Sequence, residues 1–522
     1  MPPKAAPSTQ RLIAQSAGIV MASVLLSRLL GFFRDWTVAQ QIGSNAATDA
    51  YYAAFTLPDF LNYLVAGGSL SLTLIPILTR CVAEKREEDG WQVFSTVITV
   101  MDIVLVAAIV VGEFLAPELV RVIAPGFRGA EKGRVIFLTR LMLPAQFCFY
   151  QGGVLSAVQY AKTNFLIPSL APVVYNLGII VGGVLLASRI GVTGFAVGVL
   201  AGATVGNLLL QIYGAWRSGA IFRPNLDIRN PDFILFVKLT IPLMFALSII
   251  FTDDWIIRWF GSYLVPGSIT WLSFSKTLMR VPQGVLAQAV GVAVFPFLAQ
   301  LYSEGKFEEL NRTLSATLKA VILLLVPISA LTIAEKRPLV WFVFSHTRMK
   351  APDLNATAAT LGMFAIAMFA WGAQGILARG FYAERDTLTP AIAGTAITFL
   401  DLPVYWFLSK RLAHLGLALA SSFGVIAYAV VLFVLIGRRT RSGETPGILT
   451  FFFKITAASA LAALASFKVM RWMEARVLWR STHGALAVLI VATVPGIVLT
   501  VGLAKLFRIR ELDRYLARLG LR

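Results

Sequence analysis

Charge set inside apolar sequence is where this chain can do chemistry. Arg28 and Arg34 stand in the run Ser27-Arg28-Leu29-Leu30-Gly31-Phe32-Phe33-Arg34-Asp35. A cation at hydrocarbon depth is costly unless it faces a wet cavity or a polar partner. On an uninterrupted helix, six positions separate the two arginines by about 9 Å and turn them roughly 120° apart. They therefore need not share one ligand. Each donor fork can take a separate phosphate, or the two can grip opposite sides of one anionic head group. The competing reading is structural: Arg34 snorkels at a helix end and pairs with Asp35 or Asp49. Asp49 and Asp59 bracket the start of the next apolar segment, where they suit ion pairs or a gate, and Asp49 equally suits a helix cap.

A second set lies in the later half. Lys276 and Arg280 are four residues apart, close to one helical face, and their like charges call for an anionic ligand, nearby carboxylates or water. Asp253 and Asp254 are the candidate carboxylates, and a structural salt bridge is the rival to ligand binding for the cation pair. Arg379, Glu384, Arg385 and Asp386 read as a network near a loop. Two glycine pairs, Gly67-Gly68 and Gly152-Gly153, fall inside apolar segments, where small surfaces allow close helix packing or a local bend. Catalytic signatures are missing: the sequence has no GxxxxGK phosphate loop, no HExxH and no GxSxG. With two cysteines, Cys81 and Cys148, and three scattered histidines, no metal ligand set or disulfide framework is expected. No cofactor is identified; movement would draw on an ion gradient, the membrane potential, product pull or a partner.

The elements that must position these charges follow from composition. Of 522 residues, 57% are hydrophobic and 14% charged, against roughly 25% charged in soluble domains. The mean hydropathy is +0.75. The formal charge of +19 punctuates long apolar runs, which points to a membrane protein rather than to a nucleic-acid partner. Stretches of roughly 20 apolar residues predict an all-α polytopic protein of about fourteen transmembrane helices, with cores at 13–33, 51–78, 92–116, 136–158, 165–187, 194–216, 235–257, 268–298, 317–334, 357–380, 388–408, 414–437, 450–470 and 483–505. Pro58 and Pro282 predict local breaks in the two long segments. Basic clusters at Arg80/Lys85/Arg86, Arg217/Arg223/Arg229, Arg438/Arg439/Arg441 and the tail Arg508/Arg510/Arg514/Arg518/Arg522 favour cytoplasmic N- and C-termini. The opposing loops are not free of charge, since Lys336, Arg337, Arg348 and Lys350 lie there.

The chain also repeats itself. Ile75-Pro76-Ile77-Leu78 resembles Phe295-Pro296-Phe297-Leu298 at an offset of 220; Tyr160-Ala161-Lys162 with Pro168 resembles Tyr382-Ala383-Glu384 with Pro390 at 222; Gly194-Phe195-Ala196 resembles Gly416-Leu417-Ala418, again at 222. Ordered matches at one period predict a duplicated unit. Six crossings return the chain to its starting side, so the two six-helix bundles have parallel topology, as in one class of secondary transporters. The expected organisation is a cytoplasmic segment 1–12, a first bundle 13–220, a second bundle 235–440, two additional helices in 450–505 and a basic cytoplasmic tail 506–522.

The runs Ser27 to Asp35, Ala47-Thr48-Asp49-Ala50, Leu57-Pro58-Asp59-Phe60, Pro282-Gln283-Gly284-Val285-Leu286 and Phe381-Tyr382-Ala383-Glu384-Arg385-Asp386 with Thr389-Pro390 resemble the MurJ/MviN lipid II flippase family of the multidrug/oligosaccharidyl-lipid/polysaccharide exporter superfamily. The resemblance covers most of residues 10–510. It implies a multi-pass protein of a bacterial inner membrane that moves undecaprenyl-pyrophosphate-linked peptidoglycan precursor from the inner to the outer leaflet by alternating access, without making or breaking a bond in it. It further implies that Arg28 and Arg34 attract the pyrophosphate, that Asp35 and Asp49 fill acidic family positions, and that membrane lipids and cell-wall synthesis proteins are partners. The family commonly has Asn after the span-two proline with an Arg nearby, where this chain has Asp59 and Asn62-Tyr63; Lys276-Thr277 replaces a familiar Asp-Arg pair, and Arg280 falls where an acid is common. Two other readings stay open: a flippase for another polyprenyl-linked glycan, and a nontransport membrane scaffold for cell-envelope synthesis.

Overall fold

Every regular element that a computed structural model of the chain describes, over residues 9–62, 69–250, 252–440, 445–509 and 511–513, is helical. Gly67, Gly68, Tyr63, Arg441 and the tail arginines Arg510, Arg514, Arg518 and Arg522 lie outside the described residues. Hydrocarbon leaves the backbone no water to bond, so an unbroken intrahelical ladder is the economical way across. Among the described residues eight helices are long and apolar enough to cross a membrane, or nine if a pair bent by 41° at residues 365–368 forms one span. The described residues of the predicted cores lie mainly on helix, several of them composite, as at 136–158, which spans two helices.

The chain divides into two compact units, one of residues 1–42 and 46–262, the other of residues 43–45 and 263–522. In the first, α1 (Thr9–Gln41) is followed by a segment broken into α2 (Ala46–Ala54), α3 (Thr56–Leu61) and α4 (Ser69–Ala83) around Pro58. Helix α5 (Glu87–Ile123) has three acids in its first turn and Arg121 in its last, matching the helix dipole at both ends. Then come α6 (Gly129–Met142), α7 (Ala145–Ala161), α8 (Leu166–Ile190) and α9 (Thr193–Ala203), the last running through a π-helical turn at Thr204–Leu209 into α10 (Leu210–Arg217). Helices α11 (Pro231–Ile250) and α12 (Thr252–Gly261) belong to this unit. Thr73 and Thr240 share a 2.9 Å hydrogen bond between α4 and α11, Arg80 pairs with Asp232, and Trp259 Nε1 donates to the Val122 carbonyl at 3.0 Å.

The second unit holds α13 (Ser268–Gln283), which passes beyond Pro282 through a π-helical stretch at Gly284–Gln288 into α14 (Ala289–Ser303). It continues with α15 (Phe307–Phe344), α16 (Ala351–Ala365), α17 (Met368–Ala383), α18 (Leu388–Thr440), α19 (Thr445–Glu474) and α20 (Thr482–Leu506). Two helices meet within α18 at Ala413, whose φ of 50° and ψ of −128° are not helical.

Backbone irregularities recur with the period of the sequence repeat. Positive φ occurs at Thr163 (61°) and Arg385 (62°), and at Gly191 (60°) and Ala413 (50°), each pair 222 residues apart. The break between α6 and α7 is matched by the break between α16 and α17, and α8 begins at Leu166 where the corresponding start of α18 is Leu388.

Candidate functional site

Helix α1 carries both arginines, and no proline interrupts residues 9–41. It is held against α8 by polar contacts: Ser23 Oγ donates to the Ser169 carbonyl, and Asn176 Nδ2 donates to Ser27 Oγ at 3.3 Å. Arg28 sits one residue past that anchor, half-buried. Arg34 faces its neighbour: Nε donates to Asp35 Oδ1 at 3.0 Å and Nη2 lies 3.0 Å from the same oxygen. The Tyr52 hydroxyl of α2 donates to that oxygen too, at 3.2 Å. Asp35 is thus buried, with 4% of its side chain exposed, whereas Arg34 keeps 25%. A guanidinium has five N–H donors in a fixed fork, and the Nη1 pair of Arg34 has no protein acceptor among the described residues. This arrangement orients a cation without fully neutralising its donors, which is what capture of a phosphate oxygen requires. Tyr51, stacked edge-on to Tyr52 at 5.3 Å and to Phe55 at 5.1 Å, adds a buried hydroxyl with no hydrogen-bond partner among the described residues.

Asp49 is buried in the first turn of α2. Asp59, in the first turn of α3, forms a 2.9 Å ion pair with Arg258 Nη1 of α12. Asp253 and Asp254 open α12; Asp254 and Arg258 are one helical turn apart. Lys276 and Arg280 lie in the second unit on α13, where Lys276 is 5% exposed and Arg280 is exposed. The Lys276 ammonium stands 5.5 Å from the Trp371 ring centre and 5.9 Å from that of Phe364, so aromatic faces from α16 and α17 take part in holding it. The loop-proximal network centres on Arg439, whose guanidinium pairs with Glu384 at 3.0 Å and with Asp386; Arg379 instead approaches the Gly375 carbonyl at 3.4 Å.

Helix α7 runs unbroken through Gly152 and Gly153. A Cβ on Gly152 would come within 2.6 Å of the Asn207 carbonyl oxygen, whereas Gly153 has nothing within 4 Å, so Gly152 serves close approach to the π-helical turn. A tighter seam runs between α8 and α9: a Cβ on Gly178 would lie 2.4 Å from the Gly202 Cα, and one on Gly182 would lie 2.6 Å from the Gly198 Cα.

Three charged residues escape the sequence reading. Arg258 looks like an ordinary helix-end arginine; its signal is the acid one turn before it. Glu335 of α15 is 4% exposed and accepts from the hydroxyls of Ser466 on α19 and Thr493 on α20. Asp401, 9% exposed, lies within α18 against Gly424. Both of these acids sit in long apolar runs and were visible as such. Among the described residues no group of His, Cys, Asp and Glu is placed to hold a metal ion.

The family model described as "Lipid II flippase MurJ" matches residues 38–483. The lipid II flippase MurJ of Burkholderia cenocepacia is 27% identical over an alignment covering 88% of this chain and 90% of that protein. The probable lipid II flippase MurJ of Thermotoga maritima is 25% identical with 98% and 99% covered. Among solved structures, a lipid II flippase MurJ in an inward closed conformation superposes with a TM-score of 0.78 at 20% identity, covering 94% of this chain and 98% of that one. An inward-facing multidrug resistance MATE family transporter of the MOP superfamily gives a TM-score of 0.65 at 16% identity, with 81% and 98% covered.

Proposed function

The chain belongs to the lipid II flippase MurJ family, and from that membership we propose that it carries lipid II, the undecaprenyl-pyrophosphate-linked peptidoglycan precursor, from the inner to the outer leaflet of a bacterial inner membrane. The observation that carries this reading for the site itself is Arg34: oriented by Asp35 and Tyr52, it retains an unengaged pair of donors. In this mechanism the pyrophosphate approaches Arg34 and Arg28, exchanging its water for guanidinium donors. The bundles 13–220 and 235–440 alternate access, and the polyprenyl tail stays in lipid. Lys276 and Arg280 supply cationic partners from the second half, Asp49, Asp59, Asp253 and Asp254 act in gating pairs, and residues 450–505 flank the tail's path. Both termini face the cytoplasm. No bond in the substrate is made or broken, so the work is electrostatic and conformational. Cell-wall synthesis proteins act before and after the transfer.

The replacement of a familiar Asp-Arg pair by Lys276-Thr277 supports a second reading, a flippase whose head group differs from that of lipid II. One experiment addresses both. Purified protein in liposomes with fluorescent lipid II in the inner leaflet should move the head group outward, measured by access of an external quencher, and unlabelled polyprenyl-pyrophosphate glycans should compete in order of preference. No transfer above empty liposomes, with and without an ion gradient, would overturn the transport reading. A charge-assisted hydrogen bond is worth about 1.5–3 kcal/mol. Arg34→Ala and Arg28→Ala should therefore each lower transport about tenfold or more, Lys276→Ala should lower it as well, and Arg508→Ala should leave it unchanged.

A further inference from the structure

The end of the second unit where α19 hands over to α20 carries cations that transport does not use. Arg471 closes α19, Arg476 and Arg480 lie in the seven-residue connection, and Arg337 reaches the same place from α15. One carboxylate serves them: Glu474, 7% exposed, lies 3.4 Å from Arg471 and 3.8 Å from Arg337. Arg476 and Arg480 have no carboxylate partner among the described residues. Each lies over an indole instead, Arg476 at 4.2 Å from the Trp472 ring centre and Arg480 at 5.8 Å from that of Trp479. Trp479 is itself fixed, 7% exposed and packed edge-on to Trp341 at 5.4 Å.

Membrane insertion does not account for these charges. The enrichment of Lys and Arg that sets orientation belongs to one side of the bilayer. Arg438 and Arg439 close α18 shortly before α19 begins in the sequence, and Lys505 and Arg508 stand at the end of α20, so these cations belong with the ends of α19 and α20 away from their connection. Four arginines against one acid at the α19–α20 end call for a second cause. A guanidinium with its flat face on a ring still presents its N–H donors in the plane of the fork, where a phosphate binds. Beside these donors, Leu478 is 93% and Trp472 53% exposed. Such side chains are costly in water and at home in the boundary between acyl chains and head groups. Donors for a phosphate and an apolar wedge within one short loop match a lipid rather than a soluble anion.

We propose that the α19–α20 connection is a binding site for an anionic phospholipid, with Arg476 and Arg480 on the phosphodiester and Leu478 and Trp472 in the upper acyl region. The site is independent of the transport reading, so either can fail alone. The test uses delipidated full-length protein in detergent, titrated with phosphatidylglycerol and followed by native mass spectrometry, with phosphatidylcholine and inorganic phosphate as separate arms. The wild-type protein should retain phosphatidylglycerol over phosphatidylcholine. The double variant R476Q/R480Q should hold it roughly 30-fold more weakly, as removal of two interfacial cations implies, while R312Q, on the opposite end of α15, should match the wild type. If the double variant fails to fold, the single variants R476Q and R480Q should each show part of the loss. Equal retention by wild type and variants, or equal binding of the two lipids, overturns the proposal. Displacement of the lipid by millimolar inorganic phosphate overturns it too, since that would mark a free-anion site.

Discussion

Individual side chains here carry consequences out of proportion to their number, because hydrocarbon offers no alternative solvent for a charge. The Asp59–Arg258 pair is 2.9 Å long with only 30% and 16% of the two side chains exposed. Removing one partner leaves the other poorly solvated, so Asp59→Asn and Arg258→Gln should each destabilise the protein. A double-mutant cycle followed by thermal unfolding in detergent should return a coupling of about 1–3 kcal/mol; coupling near zero would mean that the two charges are independently satisfied. Outside the spans, Asp386 gives a pH dependence. Burial works against its ionised form, but bonds from the Thr389 N–H and hydroxyl and from Arg439 outweigh that and hold the carboxyl down at about 2, against an ordinary 3.8. A depressed value means that the stabilisation is complete above pH 3.8 and is lost as pH falls through about 2. The wild type should therefore exceed Asp386→Asn in unfolding free energy at pH 6, by no more than about 1 kcal/mol because Arg439 is half solvated, and the gap should narrow steadily toward pH 3. A gap that stays constant over that range would assign the effect to shape rather than charge. Residue types were legible at this scale, and partners were legible only when adjacent. Arg34 and Asp35 are neighbours in sequence, whereas Asp59 finds its arginine 199 residues away, and Lys276 finds its aromatic faces at Phe364 and Trp371. Side-chain chemistry states a need; only the fold decides which residue meets it.

At the scale of helices, the informative comparison is between Gly191 and Ala413, which occupy matching turns. Gly191 has φ 60° and ψ −139°, and Ala413 has φ 50° and ψ −128°. That region is open to glycine and strained for a residue with a Cβ. A Cβ on Gly191 would meet nothing within 4 Å, so Gly191→Ala should cost roughly 1–2 kcal/mol from backbone strain alone. Ala413→Gly should stabilise the second unit by relieving the same strain, less the extra chain entropy of glycine in the unfolded state. Opposite shifts in melting temperature are expected, and two shifts of the same sign would show that the turns are not equivalent. The repeat that pairs these turns was legible from short matches at offsets of 220 and 222, and the breaks near Pro58 and Pro282 from the prolines themselves. The seam of Gly178 and Gly182 against Gly198 and Gly202 was not picked out. Its sign is glycine at every fourth position on consecutive helices, a spacing that brings backbones together, whereas adjacent pairs such as Gly152-Gly153 place only one of the two on the contact face.

Over the whole molecule, charge distribution must select one orientation even though basic residues cap the helices at both extremes. The connection after α10 bears Arg217, Arg223 and Arg229, and the connection after α19 bears Arg476 and Arg480 behind Arg471. The apolar segments were legible as helices, but their sidedness depends on a sum over loops in which these two clusters compete, and that sum carries no information about which cation is held by lipid. Orientation is set chiefly by the Lys and Arg of short loops near the span ends, with the early helices usually dominant; in the first half Arg80, Lys85, Arg86, Lys162, Arg217, Arg223 and Arg229 outnumber Arg121, Arg128, Lys132, Arg134 and Arg189 of the opposing connections. The loop after α10 should therefore face the cytoplasm and the loop after α19 the opposite side. Both native cysteines are buried, so replacing them with serine leaves a background for mapping. In it Leu226→Cys, at a position 60% exposed, and Ala475→Cys, at an exposed position of the α19–α20 connection, report the two loops. An impermeant maleimide added to intact spheroplasts should label Ala475→Cys at once and Leu226→Cys only after permeabilisation. The reverse pattern would place both termini outside. Labelling of both positions in intact cells would mean an even number of crossings between them, contrary to the seven expected from the spans at 235–257 to 450–470.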